Sequence, residues 1–414
     1  MKVGLQPALG DINVDAAQPT SQRQLAVSIS AIPEEMGRDV PLNLCLILDH
    51  SGSMGGRPLE MVKQAAQRIV DRLSPGDRLS IVAFDHKAKV LVPNQTIDNP
   101  ASVKLQINQL KAGGGTAIDE GLRLGVEELA KAKRDTISQA FLLTDGENEH
   151  GDNDRCLKLA KLAADYNLTV NTLGFGDAWN QDVLERIADA GGGSLSYIQQ
   201  PEEAVGEFAR LFTRIQSVGL TNAHLLISLM PTVRLAEMKP IAQVYPDTIE
   251  LTATQEAGQY VVRLGDLMVD VPRIVLTNLY LSQLPEGLQT IAYLQIRYDD
   301  PAYAREGLLS EKIPVTANFV SPYHPAPDPQ VQKHVLALAK YRQTQIAETK
   351  LQMGDRAGAA TMLQTAAKTA LQMGDRGAAT VLQNNATRLQ SGEELSEADR
   401  KQTRIVSKTT LQGE

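Results

Sequence analysis

LNLCLILDHSGSMGG, residues 42–56, joins an almost unbroken apolar run to a cluster of small oxygen-bearing side chains. An apolar run without polar alternation is the mark of a strand covered on both faces, as in the centre of a parallel sheet. Asp49, Ser51 and Ser53 follow where that strand should end. Two chemistries compete for such a cluster. One is a nucleophile on a strand-to-helix turn, and the other is a cage of oxygen ligands for a hard cation.

Outward from this stretch, strands and helices alternate. RPLEMVKQAAQRIVDRL (57–73) places Leu59, Val62, Ala66, Ile69, Val70 and Leu73 on one helical face, with Pro58 in the first turn. RLSIVAFD (78–85), ISQAFLLTD (137–145), LTVNTLGFG (168–176) and SLSYI (194–198) read as strands, and KAKVLVPN (87–94) as a short strand after a tight turn. Helical patterns lie between them, and PEEAVGEFARLFTRIQS (201–217) closes the series. The alternation predicts a doubly wound, Rossmann-like α/β domain over 41–217, with a parallel sheet and helices on both faces.

From 218 to 322 the helical pattern gives way to short strands at even spacing, which predicts a β-sandwich. RQLAVSISAI (23–32) alternates like a half-buried strand before PEEMGRDVP (33–41) breaks it. Segments that flank an inserted domain often meet in space, so residues 1–40 are expected to join the sandwich, with the α/β domain inserted between. A proline-rich linker occupies 323–329, and 330–414 is helical. LQMGDR occurs at 351 and again at 371, a repeat of period 20. In each copy a glycine (Gly354, Gly374) can end one helix and an aspartate (Asp355, Asp375) can cap the next. The tail from Ser396 opens with a capping-box pattern, Ser396 to Asp399, and is expected to fray.

Composition bounds the function. The 414 residues are 43% hydrophobic and 22% charged, ordinary for a globular protein, and the net charge of −8 argues against binding nucleic acid or an anionic membrane. Two cysteines, Cys45 and Cys156, make no disulfide framework, which fits a reducing compartment. The first residues lack the apolar core of a signal peptide, and no stretch is long and apolar enough for a membrane span. A cytoplasmic location is the expectation.

The nucleophile reading fails on spacing. Neither Ser51 nor Ser53 has glycine two residues before and after it, and His50 is poorly placed to act as a base. A phosphate-binding Gly-x-x-x-x-Gly-Lys-Ser/Thr is absent from the sequence. The cation reading draws on three segments. Asp49, Ser51 and Ser53 follow the first strand of the α/β domain, Asp145 ends the strand at 137–145, and Thr116 follows the glycine run 113–115. In a doubly wound sheet these meet outside the carboxyl ends of the strands. Two carboxylates and three hydroxyls suit Mg2+, Mn2+ or Ca2+ rather than zinc.

Asp49-x-Ser51-x-Ser53, then Thr116, then Asp145 in TDG, resembles the metal-ion-dependent adhesion site (MIDAS) of von Willebrand factor A (VWA) domains. The resemblance covers about 42–216. It implies that Ser51 and Ser53 bind the metal directly, Thr116 directly or through water, and Asp49 and Asp145 largely through water or as acceptors behind the hydroxyls. It also implies an open coordination position for a partner's carboxylate. Neutral hydroxyl ligands leave the ion its positive character, which attracts an acidic side chain. The order of regions is similar to bacterial stand-alone A-domain proteins and to inter-alpha-trypsin inhibitor heavy chains. The expected function is therefore metal-dependent protein–protein interaction with an acidic partner, not enzymatic catalysis. The second reading is an adaptor or regulatory subunit for a separate AAA+ ATPase, as in chelatase-type systems.

Overall fold

The computed structural model describes residues 1–33, 40–133, 135–269 and 271–409. Of the break at 33–41, residues 34–39 lie outside the described residues, as do 410–414 of the tail.

Three strands come first: β1 (Lys2–Leu9), β2 (Asn13–Asp15) and β3 (Thr20–Ile32). The α/β unit follows as β4 (Leu42–Asp49), α1 (Arg57–Arg72), β5 (Arg78–Phe84), β6 (Ala88–Thr96), α2 (Pro100–Asn108), α3 (Ile118–Ala130), β7 (Ile137–Thr144), α4 (Asn153–Asp165), β8 (Leu168–Phe175), α5 (Gln181–Ala190), β9 (Gly192–Ile198) and α6 (Ala204–Gln216). Every residue of β4, β7 and β8 is buried. The period of two in a strand splits β4 between two cores. Leu44, Leu46 and Leu48 pack with Val62 and Ile69 of α1 and Phe208 and Phe212 of α6. Cys45 and Ile47 face Leu122 and Val126 of α3.

The sheet order is β6-β5-β4-β7-β8-β9. All neighbours run parallel except β6, which is antiparallel to β5. The sheet is therefore mixed, not purely parallel. The chain turns back within residues 85–87, where Asp85 N–H donates to Lys87 O at 2.8 Å, and so short a return permits only antiparallel pairing. The chain winds from β4 toward β6, then crosses back to β7 and continues to β9. The crevice at this switch point opens at the carboxyl ends of β4 and β7.

Ten further strands follow: β10 (Val218–Leu229), β11 (Val233–Leu235), β12 (Ile241–Tyr245), β13 (Ile249–Glu250), β14 (Ala253–Glu256), β15 (Gln259–Met268), β16 (Arg273–Ser282), β17 (Gly287–Asp300), β18 (Arg305–Leu309) and β19 (Ile313–Val320). They form two sheets, ordered β1-β3-β16-β12-β13 and β14-β15-β10-β17-β19-β2, with β11 beside β16 and β18 beside β17. Leu25, Val27 and Ile29 of β3 share one core with Leu225 and Ile227 of β10 and Leu294 and Ile296 of β17. The N-terminal segment thus places strands in both sheets. Asp266 of β15 ties this unit to the α/β unit, accepting from Gln139 Nε2 at 2.7 Å and Thr169 Oγ1 at 2.8 Å.

The proline-rich stretch is pinned, not loose. Tyr323 Oη donates to Asp11 Oδ2 at 2.6 Å, and Asp328 N–H to Gly10 O at 3.0 Å. Beyond it lie α7 (Pro329–Gln352), α8 (Arg356–Gln372), α9 (Arg376–Gln390) and α10 (Glu397–Lys408). Gly354 and Gly374 take φ of 79° and 83°, and Asp355 and Asp375 accept from Gly358 N–H and Ala378 N–H at 2.8 and 2.9 Å. Val331 and Leu338 lay α7 on the outer face of the first sheet, against Ala26, Val244 and Leu276.

The expected fraying of the tail is not what the structure shows. Residues 397–408 form a helix docked on α5. Lys408 Nζ reaches Glu185 Oε1 at 3.0 Å and Asp189 Oδ1 at 2.8 Å, and Arg404 pairs with Asp182 and Glu185. The buried Lys340 ammonium caps the C-terminal end of α10, donating to Val406 O at 2.7 Å and Thr409 O at 3.1 Å. Cations in the last turn of α10 find carboxylates on another domain, a match that no local pattern encodes. Lys408→Ala takes the cation from half-buried Asp189 and leaves buried Glu185 with Arg404 alone, a loss of about 1–3 kcal/mol. Hydrogen exchange on the variant should show α10 amides losing protection while β4 and β7 amides keep theirs; unchanged α10 protection refutes the docking role of Lys408.

Candidate metal centre

Asp49 is the last residue of β4 and fully buried. Its Oδ1 accepts from Ser51 N–H at 2.7 Å and its Oδ2 from Thr144 Oγ1 at 2.5 Å. One carboxylate therefore shapes the loop after β4 and ties it to the end of β7. Ser51 Oγ lies 3.1 Å from Ser53 Oγ, and Ser53 Oγ donates to Asp145 Oδ1 at 2.7 Å. Asp49 and Ser51 form a buried floor, while Ser53 is exposed at the rim. A hydroxyl that gives its proton to a carboxylate still presents lone pairs outward.

Thr116 is buried and comes from the third loop. A Cβ built on Gly146 would stand 3.3 Å from Thr116 Oγ1, so this hydroxyl lies beside the Asp145-Gly146 turn. No hydrogen bond between Thr116 Oγ1 and the other four site residues is present; the link is through backbone. Gly52 N–H donates to Gly114 O at 3.0 Å, Gly113 N–H to His50 O at 2.9 Å and His150 N–H to Thr116 O at 2.9 Å. The glycine run is a steric need. Gly114 has φ of 80°, and a Cβ on Gly115 would fall 2.3 Å from the His150 ring.

Sequence reasoning gave no part in the metal site to three contributors. Thr144 is a polar residue ending a fully buried strand next to Asp145, a signal that was legible. His50 braces the glycine loop, with Nδ1 3.0 Å from Lys111 O, which also turns its ring to a carbonyl and away from any role as a serine's base. Asn148 left no signal in the sequence.

The electrostatics are those of a site short of positive charge. Burial pushes the Asp49 carboxyl up to about 6, against hydrogen bonds from Thr144 and Ser51 that pull it down, and the nearby Asp145 charge adds to the rise. Burial also raises Asp145, opposed by the Ser53 hydroxyl. Among the described residues no group of three or more His, Cys, Asp or Glu side chains is placed to hold a metal. The donors here are two carboxylates and three hydroxyls, an all-oxygen set that fits a hard divalent cation.

The von Willebrand factor type A domain model matches residues 43–210, and the Sll0103-like, C-terminal alpha-helical domain model matches 329–413. Uncharacterized protein sll0103 of Synechocystis sp. is 61% identical over 412 residues, covering 100% of this chain and 98% of that protein. This chain is a von Willebrand factor type A domain protein. Inter-alpha-trypsin inhibitor heavy chain H4 of Bos taurus is 27% identical over 195 residues, 44% of this chain but 21% of that protein. Two solved structures share the fold along the whole chain. Von Willebrand factor type A from Catenulispora acidiphila has a TM-score of 0.82 at 17% identity, covering 99% of this chain and 97% of that one. The ArnB paralog VWA2 from Sulfolobus acidocaldarius has a TM-score of 0.60 at 15% identity, covering 99% and 98%. Among the described residues no helix of the A-domain protein is long and apolar enough to cross a membrane.

The raised Asp49 value has a pH consequence. The folded state holds this proton more tightly than the unfolded chain, whose aspartates titrate near 4, so stability from this group is present below about pH 4 and is lost as pH rises through about 6. The span corresponds to about 3 kcal/mol. In metal-free buffer the wild-type melting temperature should therefore fall more steeply between pH 4 and 7 than that of Asp49→Asn. Parallel profiles for the two proteins overturn the assignment.

Proposed function

We propose that the A domain holds a divalent cation, Mg2+ with Mn2+ or Ca2+ as substitutes, at Asp49, Ser51, Ser53, Thr116 and Asp145, and that it binds an acidic side chain of a partner protein there. The observation that carries this reading is the approach of five oxygen-bearing side chains from three loops at the switch-point crevice, around two buried carboxylates to which no cationic side chain among the described residues is hydrogen-bonded. Family membership supports it, because the A-domain architecture is built around that crevice.

Each side chain has a distinct part. Asp49 orients Ser51 through the backbone and Thr144 through its hydroxyl. Asp145 accepts a hydrogen bond from the Ser53 hydroxyl, which leaves the Ser53 lone pairs free for the cation. Thr116 closes the set from the side of the glycine loop. When bound, the cation supplies a Lewis-acidic centre that accepts a carboxylate oxygen from outside. Ser53 at the exposed rim marks the side from which that group enters.

In this reading the A domain spans 41–217. A β-sandwich made by 1–40 and 218–322 carries it, and the helical region 330–414, joined through 323–329, braces it from the α5 side. The product is a protein-interaction module, not an enzyme.

The test is calorimetric and thermal. Mg2+ or Mn2+ at about 100 times its dissociation constant should stabilise the fold by about 2.7 kcal/mol relative to EDTA. Thr116→Ala and Asp145→Ala should lose most of this gain while melting near the wild type in EDTA. Asp49→Ala should also abolish any Mg2+-dependent retention of a partner. Identical wild-type melting curves in Mg2+, Mn2+, Ca2+ and EDTA overturn the reading.

A further inference from the structure

The helix that follows Thr116 lacks a cap of its own. Its N-cap position is Ala117, whose side chain can accept nothing. The first amide of α3, Ile118 N–H, instead donates to Asn148 Oδ1 at 2.7 Å, across a separation of 30 residues. Asn148 stands three residues past Asp145. Its amide nitrogen donates to Asn153 Oδ1 at 3.0 Å and reaches Cys156 Sγ at 3.7 Å, anchoring it to the first turns of α4. His150 N–H donates to Thr116 O at 2.9 Å from the same loop. Space at this point is reserved: a Cβ on Gly151 would stand 2.2 Å from Asn148 Oδ1.

We infer that Asn148 is a positioning residue that sets cation affinity by locking the Thr116 loop to the Asp145 loop. The reasoning rests on the metal-site reading above. Four of the five candidate ligands are already joined, since Asp49 fixes Ser51 and the hydroxyl chain joins Ser51, Ser53 and Asp145. Thr116 alone lacks a side-chain link to them. Backbone bonds hold its main chain, His150 N–H to Thr116 O at 2.9 Å and Ala117 N–H to Asp85 O at 2.7 Å, and the side-chain acceptor that takes the orphan Ile118 amide fixes where α3 begins beside it. A side-chain acceptor held by α4 makes the two loops one rigid unit. Without it the Thr116 hydroxyl samples positions that a bound cation must then exclude, and affinity falls.

The experiment is titration of the full chain with Mg2+ and Mn2+ by calorimetry, with melting in EDTA recorded alongside. Asn148→Ala should weaken cation binding by about tenfold or more, the range expected for groups that orient ligands. Asn148→Asp keeps the acceptor for Ile118 and should lie closer to the wild type. Asn153→Ala, at an exposed residue, frees the Asn148 amide without touching the cap and should weaken binding in the same direction by less. Hydrogen exchange at Ile118 should rise in Asn148→Ala and not in Asn148→Asp. A purely structural role predicts lower melting in EDTA with an unchanged dissociation constant, and that outcome overturns the inference. A wild type that binds no cation overturns this inference together with the metal reading. A wild type that binds while all three variants match it overturns this inference alone.

Discussion

A carboxylate at the end of a fully buried strand is the constraint on which the rest of the A domain turns. Asp49 has no solvent of its own, so both oxygens must be satisfied by the protein. One takes the Ser51 amide and the other takes the Thr144 hydroxyl. The first bond bends the chain out of β4 so that Ser51 and Ser53 face the crevice. The second joins the two strands between which the winding reverses. The proton affinity of Asp49 remains raised even with these bonds, because neutral donors stabilise a buried charge only in part. The fold therefore holds a polar cluster at some expense to its stability, as functional sites commonly do.

The sheets and helices around it serve to make that cluster rigid. Strands β4, β7 and β8, buried on both faces, cannot shift register without exposing apolar side chains on one face or the other. Their ends are thus fixed points from which loops project. The loops have little packing of their own and are held by hydrogen bonds between them: Gly52 to Gly114, Gly113 to His50, His150 to Thr116 and Ile118 to Asn148. The division of labour is general for α/β folds, where apolar burial sets the frame and polar bonds set the site.

The two-sheet unit and the helical region extend this frame in different chemical terms. Asp266 meets Gln139 and Thr169 at the amino ends of β7 and β8, opposite the crevice. Helix α10 approaches α5 with a row of cations against a row of carboxylates, and Lys401 lies 4.4 Å above the Trp179 ring. These charge and cation–π contacts respond to salt more than the packing of Val406 on the apolar core of the helical region does.

What could be read from the sequence was what neighbouring residues decide among themselves. Apolar runs marked β4, β7 and β8, and the 3.6-residue period marked α1 and α6. Glycine–aspartate pairs marked the ends of α7 and α8, because a left-handed residue and a side-chain cap act within a few positions. The serine, threonine and aspartate pattern drew attention to three loops that the fold brings together at the carboxyl ends of β4 and β7. Tertiary structure alone decided the rest. The pairing of β3 with β16 depends on which edge is free after some 240 intervening residues have folded, and no local pattern records that. The antiparallel β6 was set by the closure of a three-residue turn, which outweighed the alternation of strand and helix. The docking of α10 turned on charges that look like ordinary solvated ones until Glu185 and Asp189 are seen opposite them. Asn148 is the sharpest case. An asparagine in an acidic loop has no special character in one dimension, and only the approach of two helix starts from distant parts of the chain makes its oxygen the cap that α3 lacks.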